Sequence, residues 1–407
     1  NMPMPQRYRL SSCTQGKNMA GEVSHIISYG QSLSLGALSC PVVSNTDSAV
    51  DLMFSGGLRP QEGDNDYSCL KAHAEAEQTN ANVAMGETHC TGVTEMIRSL
   101  LRSENGKGAS GHGLCFLSSA CGTNGSSIAD LAGKYYGKLI AHITNGNGLV
   151  RSCGKSYRVQ AVLWSQGETD SWGCMSRSAY LSAMRALFDQ IDATYASITG
   201  DTMKPRFIAQ QMASHRYRGA KPYVAHAFVD AARMYTDVIL AGPTYWVPHA
   251  ADGVHLSALG SKLMGALMGI VYKKTIIDGD TWLPLMPIET VRRGNTARVR
   301  FHVPRGPLVF DTVSLAAQTN YGFTLADAEG NDLPISSVTI EAGDTVKIIA
   351  ASSVPVGAVV RYGWGNGNIR PALGNLRDSQ GDGITIEIRG IVYPLHDWSV
   401  LFEEELI

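Results

Sequence analysis

Between residues 23 and 279, short apolar runs alternate with longer amphipathic ones, and nothing else in the chain narrows its fold as much. His25-Ile-Ile-Ser-Tyr29, Leu114-Cys-Phe-Leu117, Val159-Gln-Ala-Val-Leu-Trp164, Arg206-Phe-Ile-Ala209 and Val238-Ile-Leu240 have the length and apolar density of buried strands. Each ends near Gly, Ser or Gln. The segments between them predict helices over 86–103, 127–143, 176–196, 222–236 and 257–273. In the third, Leu181, Met184, Leu187, Phe188 and Ile191 recur at helical spacing and form one apolar stripe. Strands alternating with helices imply a parallel sheet covered by helices on both faces. Ligands of such folds bind beyond the carboxyl ends of the strands, so chemistry is expected just after them.

Residues 41–80 break the rhythm. Ser55-Gly-Gly-Leu-Arg-Pro-Gln-Glu-Gly-Asp-Asn-Asp66 is rich in turn residues and predicts a long surface excursion over the active end of the sheet. After Pro284 the pattern changes again. Helix-length segments disappear, and Ala297-Arg-Val-Arg-Phe-His-Val303, Val338-Thr-Ile340, Thr345-Val-Lys-Ile-Ile349, Ala358-Val-Val-Arg-Tyr362 and Gly383-Ile-Thr-Ile-Glu-Ile388 alternate between turn clusters. That is the pattern of an antiparallel β-sandwich. The expected organisation is therefore an N-terminal arm (1–22), an α/β domain (23–280) and a sandwich (285–407) that binds carbohydrate or builds an oligomer.

Composition removes several function classes. Thirty-four Lys+Arg against 36 Asp+Glu leave a net charge of −2, without the basic excess that a general nucleic-acid binder needs. The longest apolar stretch, 256–272, is broken by Lys262 and several glycines and is too short to span a bilayer. No apolar run follows the first basic residue, so no secretory signal is expected and a soluble protein is. Eight cysteines, all within the first 174 residues, show no C-x-x-C or Cys/His metal spacing and are expected to be mostly free. Neither a metal nor an organic cofactor is called for.

Three segments carry the chemistry. Tyr29-Gly-Gln-Ser-Leu-Ser-Leu-Gly36 closes the first strand, Leu163-Trp-Ser-Gln-Gly-Glu-Thr-Asp170 closes a central one, and Asp252-Gly-Val-His-Leu-Ser-Ala-Leu-Gly260 opens the last helix of the domain. Acyl transfer needs a nucleophile, a base, a group that orients the base, and donors for the developing oxyanion. Ser32, just past a strand and Gly30, is the candidate nucleophile; the plainer alternative is a turn serine like Ser28 or Ser34. His255 is the candidate base and later acid, with Asp252 three residues earlier as its orienting carboxylate. The plainer alternative here is a helix-capping Asp beside a surface His. Ser32 supplies its own N–H to an oxyanion, and Cys121-Gly-Thr-Asn-Gly-Ser-Ser-Ile-Ala-Asp130, between a strand and a helix, aims further N–H groups at an anion. Glu168 and Asp170 are spaced to tie down loops rather than to act as a glycosidase pair. Trp164 and Trp172 offer either a sugar-stacking face or core packing, and Met184, Met264 and Met268 are core fillers.

Taken together and in this order, Gly30-Gln-Ser32, Gln166-Gly-Glu168-Thr-Asp170 and Asp252-x-x-His255 resemble the SGNH (GDSL-like) hydrolases. The branch they resemble is the carbohydrate O-acetylesterases related to sialate O-acetylesterases. The resemblance covers about residues 23–275, and Tyr362-Gly-Trp-Gly-Asn…Gly-Asn-Leu-Arg-Asp378 is also similar to endings in that branch. It implies a flavodoxin-like three-layer α/β/α domain and a Ser32–His255–Asp252 triad. It further implies an oxyanion hole of Ser32, Gly125 (Gly122 being the alternative) and Gln166, with Glu168 in support. The opening 25–35 also resembles bacteriophage tailspike and tail-associated deacetylases, which implies a virion or extracellular setting, an O-acetylated bacterial polysaccharide as substrate, and a homotrimer. Two rival readings stay open: a lipase or thioesterase with the same triad, and a non-catalytic glycan-binding virion protein. The polar 41–80 segment suits a sugar better than an acyl chain, and no triad member is missing.

Overall fold

The computed structural model describes residues 21–44, 47, 48, 50–61, 63, 65–80, 82–105, 113–365 and 371–407. The expected arm, except for its last two residues, lies outside them. The chain divides into two compact units. The first takes the described residues up to Gln166, with Ala183–Ile208 and His255–Asp280; the second takes Gly167–Ser182, Ala209–Val254 and Thr281–Ile407.

The expected strands and helices are present. In chain order they are β1 (Glu22–Gly30), β2 (Leu52–Phe54), β3 (Leu70–Ala72), β4 (Gln78–Asn80), β5 (Val83–Met85), α1 (His89–Asn105), β6 (Cys115–Ala120), α2 (Ile128–Ala132), α3 (Tyr136–Ser152), β7 (Ser156–Ser165), α4 (Glu168–Trp172), α5 (Arg177–Thr199), β8 (Arg206–Gln211), α6 (Tyr223–Met234), β9 (Val238–Pro243) and α7 (Ala258–Tyr272). The sheet order in the first unit is β3-β2-β6-β1-β7-β8. β1 pairs in parallel with β6 on one side and β7 on the other, while β2 and β3 pair antiparallel. All residues of β1 beyond Glu22 are buried, as an apolar run inside a parallel sheet demands. After β1 the chain first builds one side of the sheet and then, from β7, the other. The carboxyl ends of β1 and β7 therefore flank the crevice where α/β sheets take ligands.

Two expectations need correction. The 41–80 segment is not only a surface excursion, because Leu52 pairs in parallel with Leu117 of β6 and Leu52, Met53, Phe54 and Leu58 are buried. Three apolar residues among turn formers were too few to stand out as a strand. The helix expected over 127–143 is two helices, since Gly133 leaves helical geometry (φ −123°, ψ −90°) and α3 starts afresh at Tyr136. In α5 the apolar stripe holds with one shift: Tyr180 is buried along with Met184, Leu187, Phe188 and Ile191, and Leu181 is only half-buried.

α1 and α7 pack at backbone distance. A Cβ on Gly92 would stand 2.3 Å from the Lys262 carbonyl oxygen, and one on Gly265 would stand 2.2 Å from that of His89. This pairing fixes the start of α7, just after His255.

In the second unit, Met286–Arg293, Thr296–His302, Thr345–Ala350 and Ile335–Glu341 form one antiparallel sheet. Asp332–Leu333, Phe323–Ala326, Val359–Tyr362 and Phe402–Glu405 form another. Rings from the two sheets meet at Phe301 and Phe402, with centroids 5.9 Å apart. Residues 366–370, inside the segment compared with family endings, lie outside the described set. None of the seven described cysteines is in a disulfide, and no helix among the described residues is long and apolar enough to cross a membrane.

Candidate active site

At the end of β1 the backbone has no room for a side chain. Gly30 adopts φ +145°, and a Cβ there would lie 2.0 Å from the carbonyl oxygen of Ser165 on β7. Glycine alone lets the two strand ends close, with Gln31 N–H donating to the same carbonyl at 2.9 Å. The chain then tightens into a 3₁₀ turn, Ser32–Leu35, ended by Gly36 in the left-handed region at φ 69°. Two neighbouring serines hold this turn. Ser28 Oγ donates to the Ser34 carbonyl at 2.7 Å, and Ser34 Oγ donates to the Gln31 carbonyl at 2.6 Å. Ser28 and Ser34, set beside Ser32 as ordinary turn residues, are thus the scaffold of the turn that presents it.

Ser32 sits at the top of this turn, and its Oγ lies 2.8 Å from His255 Nε2. The residues are 223 positions apart in sequence, and the segment carrying the histidine is tied to the loop that follows the turn. Ser39 Oγ donates to the Leu256 carbonyl at 2.8 Å and lies 2.9 Å from Ser261 Oγ. α7 is capped by Ser257, whose side chain accepts from Gly260 N–H at 3.1 Å. Asp252 is therefore not the cap of that helix. Its Oδ1 accepts from Val254 N–H at 3.0 Å in the turn before His255.

The other expected residues are also placed. Gln166, at the end of β7, is buried, and its side-chain amide donates to Gln31 Oε1 and to the Ser126 carbonyl, each at 3.3 Å. Gly122 lies against the nucleophile turn: a Cβ on it would be 2.1 Å from Ser34 Oγ and 2.4 Å from the Gly30 carbonyl. On either side of it, Cys121 N–H donates to Ser28 and Thr123 N–H to Gly30, and the Gly122 N–H takes no part in this pairing. Gly125, by contrast, is exposed in the following turn at φ +65°, where a Cβ would meet nothing within 4 Å. Trp164 is fully buried against Tyr29 and Phe188, which removes it as a sugar platform. Trp172 is half-buried, with Tyr217 beside it and the Arg218 guanidinium 5.2 Å from its ring centroid.

Sequence reasoning missed Arg59. It is buried within the excursion and donates to the carbonyls of Leu35 at 3.2 Å, Gly86 at 2.8 Å and Ala76 at 2.6 Å. It thereby ties 41–80 to the nucleophile turn. A lone Arg in a polar run carries no signal of burial.

Glu168 is 1% exposed at the start of α4. Burial pushes its carboxyl up to about 7, opposed by its own backbone N–H and assisted by the Asp170 charge. A carboxyl raised in the fold stabilises it while protonated. That contribution is complete below the ordinary carboxylate value and is lost as pH climbs through about 7. Glu168→Gln, which cannot ionise, should flatten this part of the stability profile, read as urea midpoints between about pH 4.5 and 7.5. A profile parallel to that of the parent would show that Glu168 does not titrate in this range.

Neither a scan of family models nor a search of curated proteins finds a match for the chain. Solved structures do match. A carbohydrate acetylesterase from Xanthomonas citri aligns over 94% of this chain and 80% of its own, with a TM-score of 0.58 and 16% identity. A protein from Arabidopsis thaliana aligns over 62% and 98% (TM-score 0.42, 15% identity), and NanS over 64% and 98% (TM-score 0.37, 9% identity). At such identities the first likeness is one of fold alone, and the other two are too distant to add to it.

Proposed function

We propose that this chain is a serine carbohydrate esterase that removes O-acetyl groups from a glycan. The observation that carries the reading is the 2.8 Å contact between Ser32 Oγ and His255 Nε2 at the carboxyl end of the central strand. Ser32 Oγ attacks the acetyl carbonyl carbon while His255 Nε2 takes its proton. Asp252 orients the ring and stabilises the imidazolium. The oxyanion is met by the N–H of Ser32, by the N–H of Gly122 in place of that of Gly125, and by the Gln166 amide. Collapse breaks the carbonyl-to-sugar oxygen bond, and the His255 proton goes to the departing sugar oxygen. Water, deprotonated by His255, then attacks the acetyl-enzyme, and acetate leaves as Ser32 regains its proton. The fold shared with a carbohydrate acetylesterase supports the substrate class. Residues 285–407 serve in this reading as an accessory domain that holds glycan or joins subunits.

Chain-length preference tests the class. Para-nitrophenyl acetate should be hydrolysed far faster than the octanoate, and O-acetylated polysaccharides should release acetate. Preference for octanoate would point to a lipase or thioesterase instead. For the side-chain donor, Gln166→Ala should lower kcat by ~10²–10³ with KM little changed. A change confined to KM would make Gln166 a ground-state binding group.

A further inference from the structure

Beside the nucleophile turn lies a polar cavity of ≈ 200 Å³, lined among others by Leu35, Arg59, Asn80, Gly122, Lys138 and His142, and among the described residues by no Asp or Glu. Lys138 and His142 stand one turn apart on α3 and present to the cavity from one helix face. Lys138 Nζ donates to Thr123 Oγ1 at 3.0 Å and lies 5.6 Å from the Tyr135 ring centroid. Among the described residues no carboxylate pairs with it. Arg59 differs, since the charges of Glu75 and Glu87 offset its own.

His142 is 1% exposed, and a buried chain of hydrogen bonds decides where its proton sits. Tyr157 OH lies 2.7 Å from His25 Nδ1, His25 Nε2 lies 2.8 Å from Ser119 Oγ, and Ser119 Oγ lies 2.8 Å from His142 Nδ1. The Tyr157 proton has no acceptor but His25 among the described residues, so the tyrosine donates to Nδ1. His25 Nε2–H must then donate to Ser119, and the Ser119 hydroxyl to His142 Nδ1. The His142 proton is left on Nε2, which has no partner among the described residues. Burial, aided by the Lys138 charge, pushes His142 down to about 3, so the ring stays neutral in this tautomer. The cavity thus offers a fixed N–H donor and an ammonium, with no competing anion among its described lining residues.

We propose that this cavity is a subsite for the carboxylate of an acidic sugar in the acetylated glycan, an inference that rests on the esterase reading above. A carboxylate matches two convergent donors of which one is charged, whereas a neutral hydroxymethyl group leaves the ammonium without a counter-charge.

Calorimetry on the Ser32→Ala protein tests this without turnover, using D-glucuronate, D-glucose and acetate as probes. Glucuronate should bind at least tenfold more tightly than glucose or acetate. Lys138→Met in the same background should weaken glucuronate by about 10- to 100-fold and leave glucose unchanged. Equal affinities for glucuronate and glucose, acetate binding as tightly as glucuronate, or an unaltered glucuronate affinity in Lys138→Met would each overturn the subsite. Absence of acetate release by the parent enzyme would instead sink the esterase reading, and these binding results would still stand.

Discussion

Ser32→Ala protein should release acetate from an O-acetylated polysaccharide on the order of 10⁴-fold more slowly than the parent, or not at all. The substitution removes the hydroxyl oxygen that lies 2.8 Å from His255 Nε2 and leaves the turn around it intact. That turn is held by Ser28 Oγ, Ser34 Oγ and Gly36, none of which depends on the Ser32 hydroxyl. The variant should therefore melt within about 1 kcal/mol of the parent, since it loses one hydrogen bond and no packed volume. Loss of activity with retained stability is the pattern expected of a nucleophile. Activity within about tenfold of the parent would show that Ser32 is only a turn residue.

Asp252→Asn should also be severe, lowering kcat by roughly 10⁴, the size of loss seen when an orienting carboxylate in a serine triad becomes an amide. The substitution separates two roles cleanly. Asp252 Oδ1 accepts from Val254 N–H at 3.0 Å, a bond that an Asn side-chain oxygen keeps, so the turn before His255 should form as before. The negative charge that, in the proposed mechanism, holds the ring and stabilises the imidazolium is lost. Because Ser257 rather than Asp252 caps α7, no helix-capping loss complicates the comparison. Near-parental kcat in the Asn variant would confine Asp252 to shaping the turn.

The strands that carry the site were legible because each is a nearly uninterrupted apolar run ending in Gly, Ser or Gln, as β1 and β7 show. The motifs put Ser32 just past a strand and His255 just before a helix, and the fold brings the two side chains within 2.8 Å of each other. What escaped reading has a common physical cause. Leu52-Met-Phe54 is a strand because β3 and β6 stand ready to pair with it, and three residues carry no period of their own. Arg59 and His142 are buried polar groups that bond to partners distant in sequence, such as Leu35 and Ser119, so nothing local marks them. Gly122 and Gly125 differ in their approach to the Gly30 carbonyl, a distance that exists only in the folded chain.

Trapping the acyl-enzyme tests the central claim most directly. The parent protein is mixed with excess para-nitrophenyl acetate, quenched in acid within the first turnovers, digested, and mapped for acetylated peptides. The mechanism predicts a single acetyl group on Ser32 that decays on dilution into fresh buffer and is missing from the Ser32→Ala protein. Steady hydrolysis with no acetyl on the peptide that carries Ser32, or with the acetyl on another residue, would contradict it.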